Sequence, residues 1–170
     1  MELNELYNEV LIEHYQKPFN KKVLKDYNFD YEGVNPSCGD QIHLYLKLNK
    51  TNDKITIQEI SFQGSGCSIS IASTSIMCYI ISTLKEFNLM KIKDFANKVI
   101  EYIKGQIPYE DIFKNEFKDY KNEFQDLLAL NYINKIPVRL KCALLSWITL
   151  KELIENEIEN KIENKIEKPE

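Results

Sequence analysis

The chain is predicted to be an α+β domain: a small antiparallel sheet of about three strands packed against several helices. Two observations carry this. Apolar residues alternate with polar ones only in the first part of the chain, before Gly64, whereas from Ser68 onward they recur at steps of three and four. Strands gathered early and helices gathered late are the pattern of segregated α and β layers. A length of 170 residues with 44% hydrophobic and 28% charged residues suits one compact core.

From Glu2 to Tyr15 the positions Leu3, Leu6, Tyr7, Val10, Leu11 and His14 line one face of an amphipathic helix, which Pro18 stops. Tyr27, Phe29 and Tyr31 alternate as in a short strand, and Gly33 with Asn35-Pro36 signals a turn. Ile42, Leu44, Leu46 and Leu48 form a second alternating run. Ile55, Ile57, Ile60 and Phe62 form a third, beyond the polar turn from Asn49 to Asp53. Gly64-Ser65-Gly66 breaks that strand. Ser68 to Ser82 then resumes at helical spacing with so few polar long chains that the helix should be buried. Lys91 to Lys104 reads as another helix, closed by Gly105 and Pro108, and Tyr109 to Leu130 as one or two shorter ones. Pro137 opens a long final helix with Leu140, Leu144, Trp147, Ile148 and Leu150.

The organisation is read as one domain over residues 1–152 and a low-complexity charged helical tail over 153–170. In the tail Ile154, Ile158, Ile162 and Ile166 recur at a strict period of four. On an α-helix that stripe drifts by about 40° per step, so a fraying extension is expected, with a self-association helix as the alternative.

Charge excludes some function classes. Lys plus Arg is 22 and Asp plus Glu is 26, a net charge of −4 with no basic footprint for nucleic acid. The opening MELNELYNEV lacks the features of a signal peptide, and no apolar run approaches the roughly 20 residues that span a bilayer. A cytoplasmic protein is expected, with no nucleic acid and no membrane among its partners. In a reducing compartment its four cysteines serve better as thiols or metal ligands than as disulfides.

Cys38 and Asp40 stand two apart across Gly39 in NPSCGD, a spacing that lets a thiolate and a carboxylate converge on one metal ion. In isolation the hexapeptide favours the plainer reading, a turn with a buried cysteine. Cys67 follows Gly64-Ser65-Gly66 at a helix start, where free amides favour a thiolate; it is either a reactive or ligating thiol or a small residue filling a tight turn. Cys142, beside Arg139 and Lys141, would taken alone be core, although those charges would stabilise its thiolate. Cys78, among Ile76, Met77, Tyr79 and Ile80, reads as core, and His43 as a strand residue on the surface.

Taken together, NPSCGD, FQGSGCSISIAS and IPVRLKCALLSW, in that order after EHYQKPFNK, resemble the SufU branch of the IscU-like iron-sulfur cluster assembly proteins, also known from the amino-terminal part of NifU. The resemblance runs from about Leu6 to Leu150. It implies one metal site formed by Cys38, Asp40, Cys67 and Cys142. It also implies a zinc-dependent sulfurtransferase role, in which the chain accepts persulfide sulfur from a SufS-type cysteine desulfurase. The sulfur would pass on to downstream Suf cluster-assembly proteins. Cys38, beside its glycine hinge, is the expected sulfur acceptor, and Arg139, the only arginine in the chain, matches a partner-contacting position.

The IscU branch has a His directly before the last cysteine, where this chain has Lys141. The close alternative is a scaffold on which iron is assembled into a [2Fe-2S] cluster by the same residues. An alternative of another class is a purely structural zinc module. Cys78, a long middle insertion and the Ile-Glu-Asn tail depart from the family pattern.

Overall fold

The computed structural model describes residues 3–160. Among them the order is α1 (Leu3–Gln16), β1 (Phe29–Asn35), β2 (Asp40–Lys50), β3 (Ile55–Ser65), α2 (Ser68–Thr83), α3 (Leu89–Ile103) and α4 (Pro137–Glu152). The α+β architecture is therefore the expected one. Three 3-10 segments, Tyr109–Ile112, Asn115–Tyr120 and Gln125–Lys135, stand where one or two shorter helices were predicted.

The sheet is antiparallel in the order β1-β2-β3. Its period-two pattern is obeyed: Ile42, Leu44 and Leu46 of β2 are fully buried, while Gln41, His43, Tyr45 and Lys47 take the other face. On that outer face His43 pairs with Asp30 at 2.7 Å and stacks on Tyr45. β1 runs further than the aromatic alternation predicts, because Gly33 lies inside the strand, where it gives room for Thr149 of α4. The turn is confined to residues 36–39, since Asn35 and Asp40 are already paired across the ladder.

α2 is the central element, buried along almost its whole length, and its serines let neighbours approach closely. Ser73 Oγ donates to the Ala143 carbonyl of α4 at 2.7 Å. α1 buries fully only Leu11. Its last turn is held by His14, whose Nδ1 lies 2.8 Å from Ser75 Oγ of α2 and whose Nε2 lies 2.7 Å from Asp126. Ser75 Oγ also accepts from the Phe19 N–H at 2.8 Å, which anchors the segment after α1. That segment runs beside β3, with the Phe62 N–H donating to the Asn20 carbonyl.

The chain winds on past α4 as a π-helix, Leu153–Glu159. Leu153, Ile154 and Ile158 are fully buried and belong to the core, so these first residues of the repeat are packed against it. A repeat of four suits a π-helix, with its i→i+5 bonds and wider turn, better than an α-helix, and Ile154 and Ile158 both face inward. Residues 161–170, with Ile162 and Ile166, lie outside the described residues.

Candidate metal centre

The site forms at the end of the β1–β2 hairpin, where it meets the starts of α2 and α4. Cys38 lies in the hairpin turn and Asp40 is the first residue of β2. Gly39 between them has φ +68°, the left-handed conformation that a residue with a Cβ adopts at a cost. Cys67 is the N-cap of α2, and Cys142 lies in the second turn of α4.

The Sγ atoms of Cys38 and Cys142 and a carboxylate oxygen of Asp40 all lie within 4.8 Å of one another. Asp40 and Cys142 are fully buried, while Cys38 is half-buried. Cys67 stands beside this trio. Its backbone N–H donates to Asp40 Oδ1 at 2.8 Å, its thiol contacts Cys142, and its Sγ accepts from the Ser70 N–H at 3.5 Å. A helix amide of α2 thus points at the Cys67 sulfur.

Gly66 makes room for the carboxylate. A Cβ there would stand 2.5 Å from Asp40 Oδ1. The glycine-rich strand-to-helix turn is therefore the wall against which Asp40 rests.

Burial pushes the Cys142 thiol well above its ordinary range. Hydrogen bonds with Cys38, Asp40 and Cys67, and the negative charge of Cys67, push the same way. Arg139 and Lys141 are both exposed on α4 and do not offset this. The expected stabilisation of the Cys142 thiolate by their charges is corrected on that ground. Among the described residues no basic side chain pairs with Asp40, and both histidines are engaged elsewhere, His14 with Ser75 and Asp126 and His43 with Asp30. Four acidic groups converging in a buried pocket without a counter-charge are mutually unfavourable unless a cation joins them. Three soft thiols and one carboxylate suit zinc, which takes four such ligands in a closed site.

Sequence reasoning missed Asn35, read only as half of a turn signal. It is 6% exposed, and its Nδ2 donates to Asp40 Oδ2 at 3.1 Å and approaches Cys142 Sγ at 3.6 Å. The turn signal alone does not reveal it: the register that sets Asn35 opposite Asp40 across the ladder is what brings the amide to the carboxylate.

A buried cluster of thiols and one carboxylate on a small α+β domain is the class of site that could hold a metal ion. Residues 6–122 match the NifU-like N terminal domain, and the chain belongs to that family. It is 34% identical to the zinc-dependent sulfurtransferase SufU of Bacillus subtilis, a likeness covering 91% of this chain and 93% of that one. It is 32% identical to the iron-sulfur cluster assembly scaffold protein IscU of Streptococcus pyogenes, covering 91% and 86%. A crystal structure of a hypothetical protein superposes with a TM-score of 0.70 at 30% identity, covering 91% of this chain and 100% of that one.

Proposed function

We propose that this chain is a zinc-bound sulfur acceptor in iron-sulfur cluster assembly, taking persulfide sulfur from a SufS-type cysteine desulfurase and passing it to downstream cluster-assembly proteins. The observation that carries the reading is the unequal hold on the convergent donors. Asp40 is held through both oxygens and Cys67 by a helix amide. Cys142 is buried in α4, whereas Cys38 sits half-buried on a turn, its thiol held by Cys142 and by the Val138 carbonyl, 3.9 Å from its Sγ. The names of the two relatives support both a sulfur-transfer and an assembly role.

Zinc, held by Cys38, Asp40, Cys67 and Cys142, would keep the thiols deprotonated and shield them from oxidation. The chain's own contribution is to present Cys38. Its thiolate attacks the outer sulfur of the partner's persulfide, the S–S bond breaks, and the partner's cysteine leaves as a thiolate. Cys38 then carries the persulfide, and no outside oxidant or reductant is needed. Val34, Ile136 and Val138 expose apolar surface around this end of the molecule, and Arg139 is exposed on the first turn of α4. We assign this rim to the desulfurase.

The test is anaerobic incubation with a SufS-type desulfurase and cysteine, followed by peptide mass spectrometry. One added sulfur atom should map to the Cys38 peptide, persist in Cys78→Ser and vanish in Cys38→Ser. A persulfide found chiefly on Cys142 would overturn the assignment. The scaffold reading is favoured instead if anaerobically purified protein is brown and carries iron and sulfide in place of zinc.

A further inference from the structure

Asp40 is gripped at both oxygens, and the second grip comes from a residue with no place in the ligand set. From the register that pairs Asn35 with Asp40, together with the burial of both, we infer that Asn35 is a positioning residue for the metal centre, resting on the site reading above. An amide Nδ2 carries two hydrogens. One is directed at Asp40 Oδ2 at 3.1 Å, and the other faces Cys142 Sγ at 3.6 Å, within range for a sulfur acceptor.

Asn35 therefore spans the hairpin and α4, joining the carboxylate and a thiol that stand 102 positions apart in the chain, from 40 to 142. The Cys67 N–H closes the other side of Asp40 at Oδ1. With one hydrogen bond on each oxygen, the carboxylate plane cannot swing, yet each oxygen keeps a lone pair for a cation. Toward Cys38, Asn35 offers its backbone carbonyl, which accepts from the Cys38 N–H at 3.3 Å, so the side-chain clamp acts on Asp40 and Cys142 and leaves the Cys38 thiol able to exchange.

Two variants separate hydrogen bonding from space filling. Asn35→Ala removes the amide and leaves a gap, while Asn35→Leu keeps the branched shape, somewhat enlarged, without a donor. The readouts are zinc affinity, by competition with a chromophoric chelator, and the Tm of the metal-free protein. Both variants should bind zinc about 10- to 100-fold more weakly, the usual cost of removing a residue that orients a ligand, while metal-free Asn35→Leu still unfolds in one cooperative transition. Zinc held by Asn35→Leu as tightly as by the unsubstituted chain overturns the inference, even if Asn35→Ala is weakened or unfolded. Failure of the unsubstituted chain to bind zinc at all would instead sink the site reading on which it rests.

Discussion

Gly39 and Gly66 flank the candidate metal centre for opposite reasons, and substitution should tell them apart. Gly39 has φ +68° but nothing within 4 Å of a Cβ, so Gly39→Ala costs strain alone, about 1–2 kcal/mol, and should leave zinc bound. Gly66→Ala drives a methyl against Asp40 Oδ1 at 2.5 Å and should displace the carboxylate. Zinc stoichiometry and chelator competition on the two variants check this. Equal zinc affinity in both would show that Asp40 is not held against that turn. At this scale the ligand types and the NPSCGD spacing were legible in the sequence. Asn35 was not, because its role depends on a hairpin register that brings it opposite Asp40.

Among the elements, α1 has little apolar anchorage and depends on a polar clasp. His14 bonds Ser75, itself fully buried, and Asp126, so one imidazole ties α1 to α2 and to the last 3-10 segment. Although serine, histidine and aspartate are in line here, Ser75 is closed to substrate and its Oγ already accepts from Phe19, so the trio is structural. His14→Ala should destabilise the protein by about 1–3 kcal/mol in denaturant titration while zinc affinity stays unchanged. A change in zinc affinity instead would mean that α1 couples to the site. The same reasoning applies to the π-helix. Ile154→Ala and Ile158→Ala should each cost roughly 2–5 kcal/mol, since both side chains are fully buried. Neutral substitutions would show that the core ends with α4. We propose on these grounds that the domain extends past the boundary at 152.

For the whole molecule, the buried thiols couple stability to pH and to metal. Burial pushes Cys78 and Cys142 well above the ordinary thiol value of about 8.5. In metal-free protein the unfolded chain loses these protons first as pH rises. The stability they allow is therefore present below about pH 8.5 and lost above it, with a limiting slope of about 1.4 kcal/mol per pH unit per thiol. Unfolding free energy of metal-free protein measured from pH 7 to 10 should fall, and less steeply in Cys78→Ala. A flat profile would show that these thiols are not protected. Zinc runs the other way: its binding must displace the Cys142 proton, so apparent affinity should rise with pH while stability gains the binding free energy.

The sequence by itself determined the α+β class, the sheet's inward face, the central buried helix and the residue types that converge on the metal centre. Each is written in local periodicity or in a short motif, and local patterns set which face of a strand or helix turns inward. Tertiary structure alone decided three other matters. Helix geometry turned Arg139 and Lys141 to the surface, so proximity in sequence to Cys142 gave no electrostatic support. Packing against the core retained Leu153, Ile154 and Ile158, which composition had marked as tail. The hairpin register and the approach of α4 placed Asn35 between Asp40 and Cys142. Contacts between residues this far apart carry no sequence period, because they arise only when separate elements close around one core.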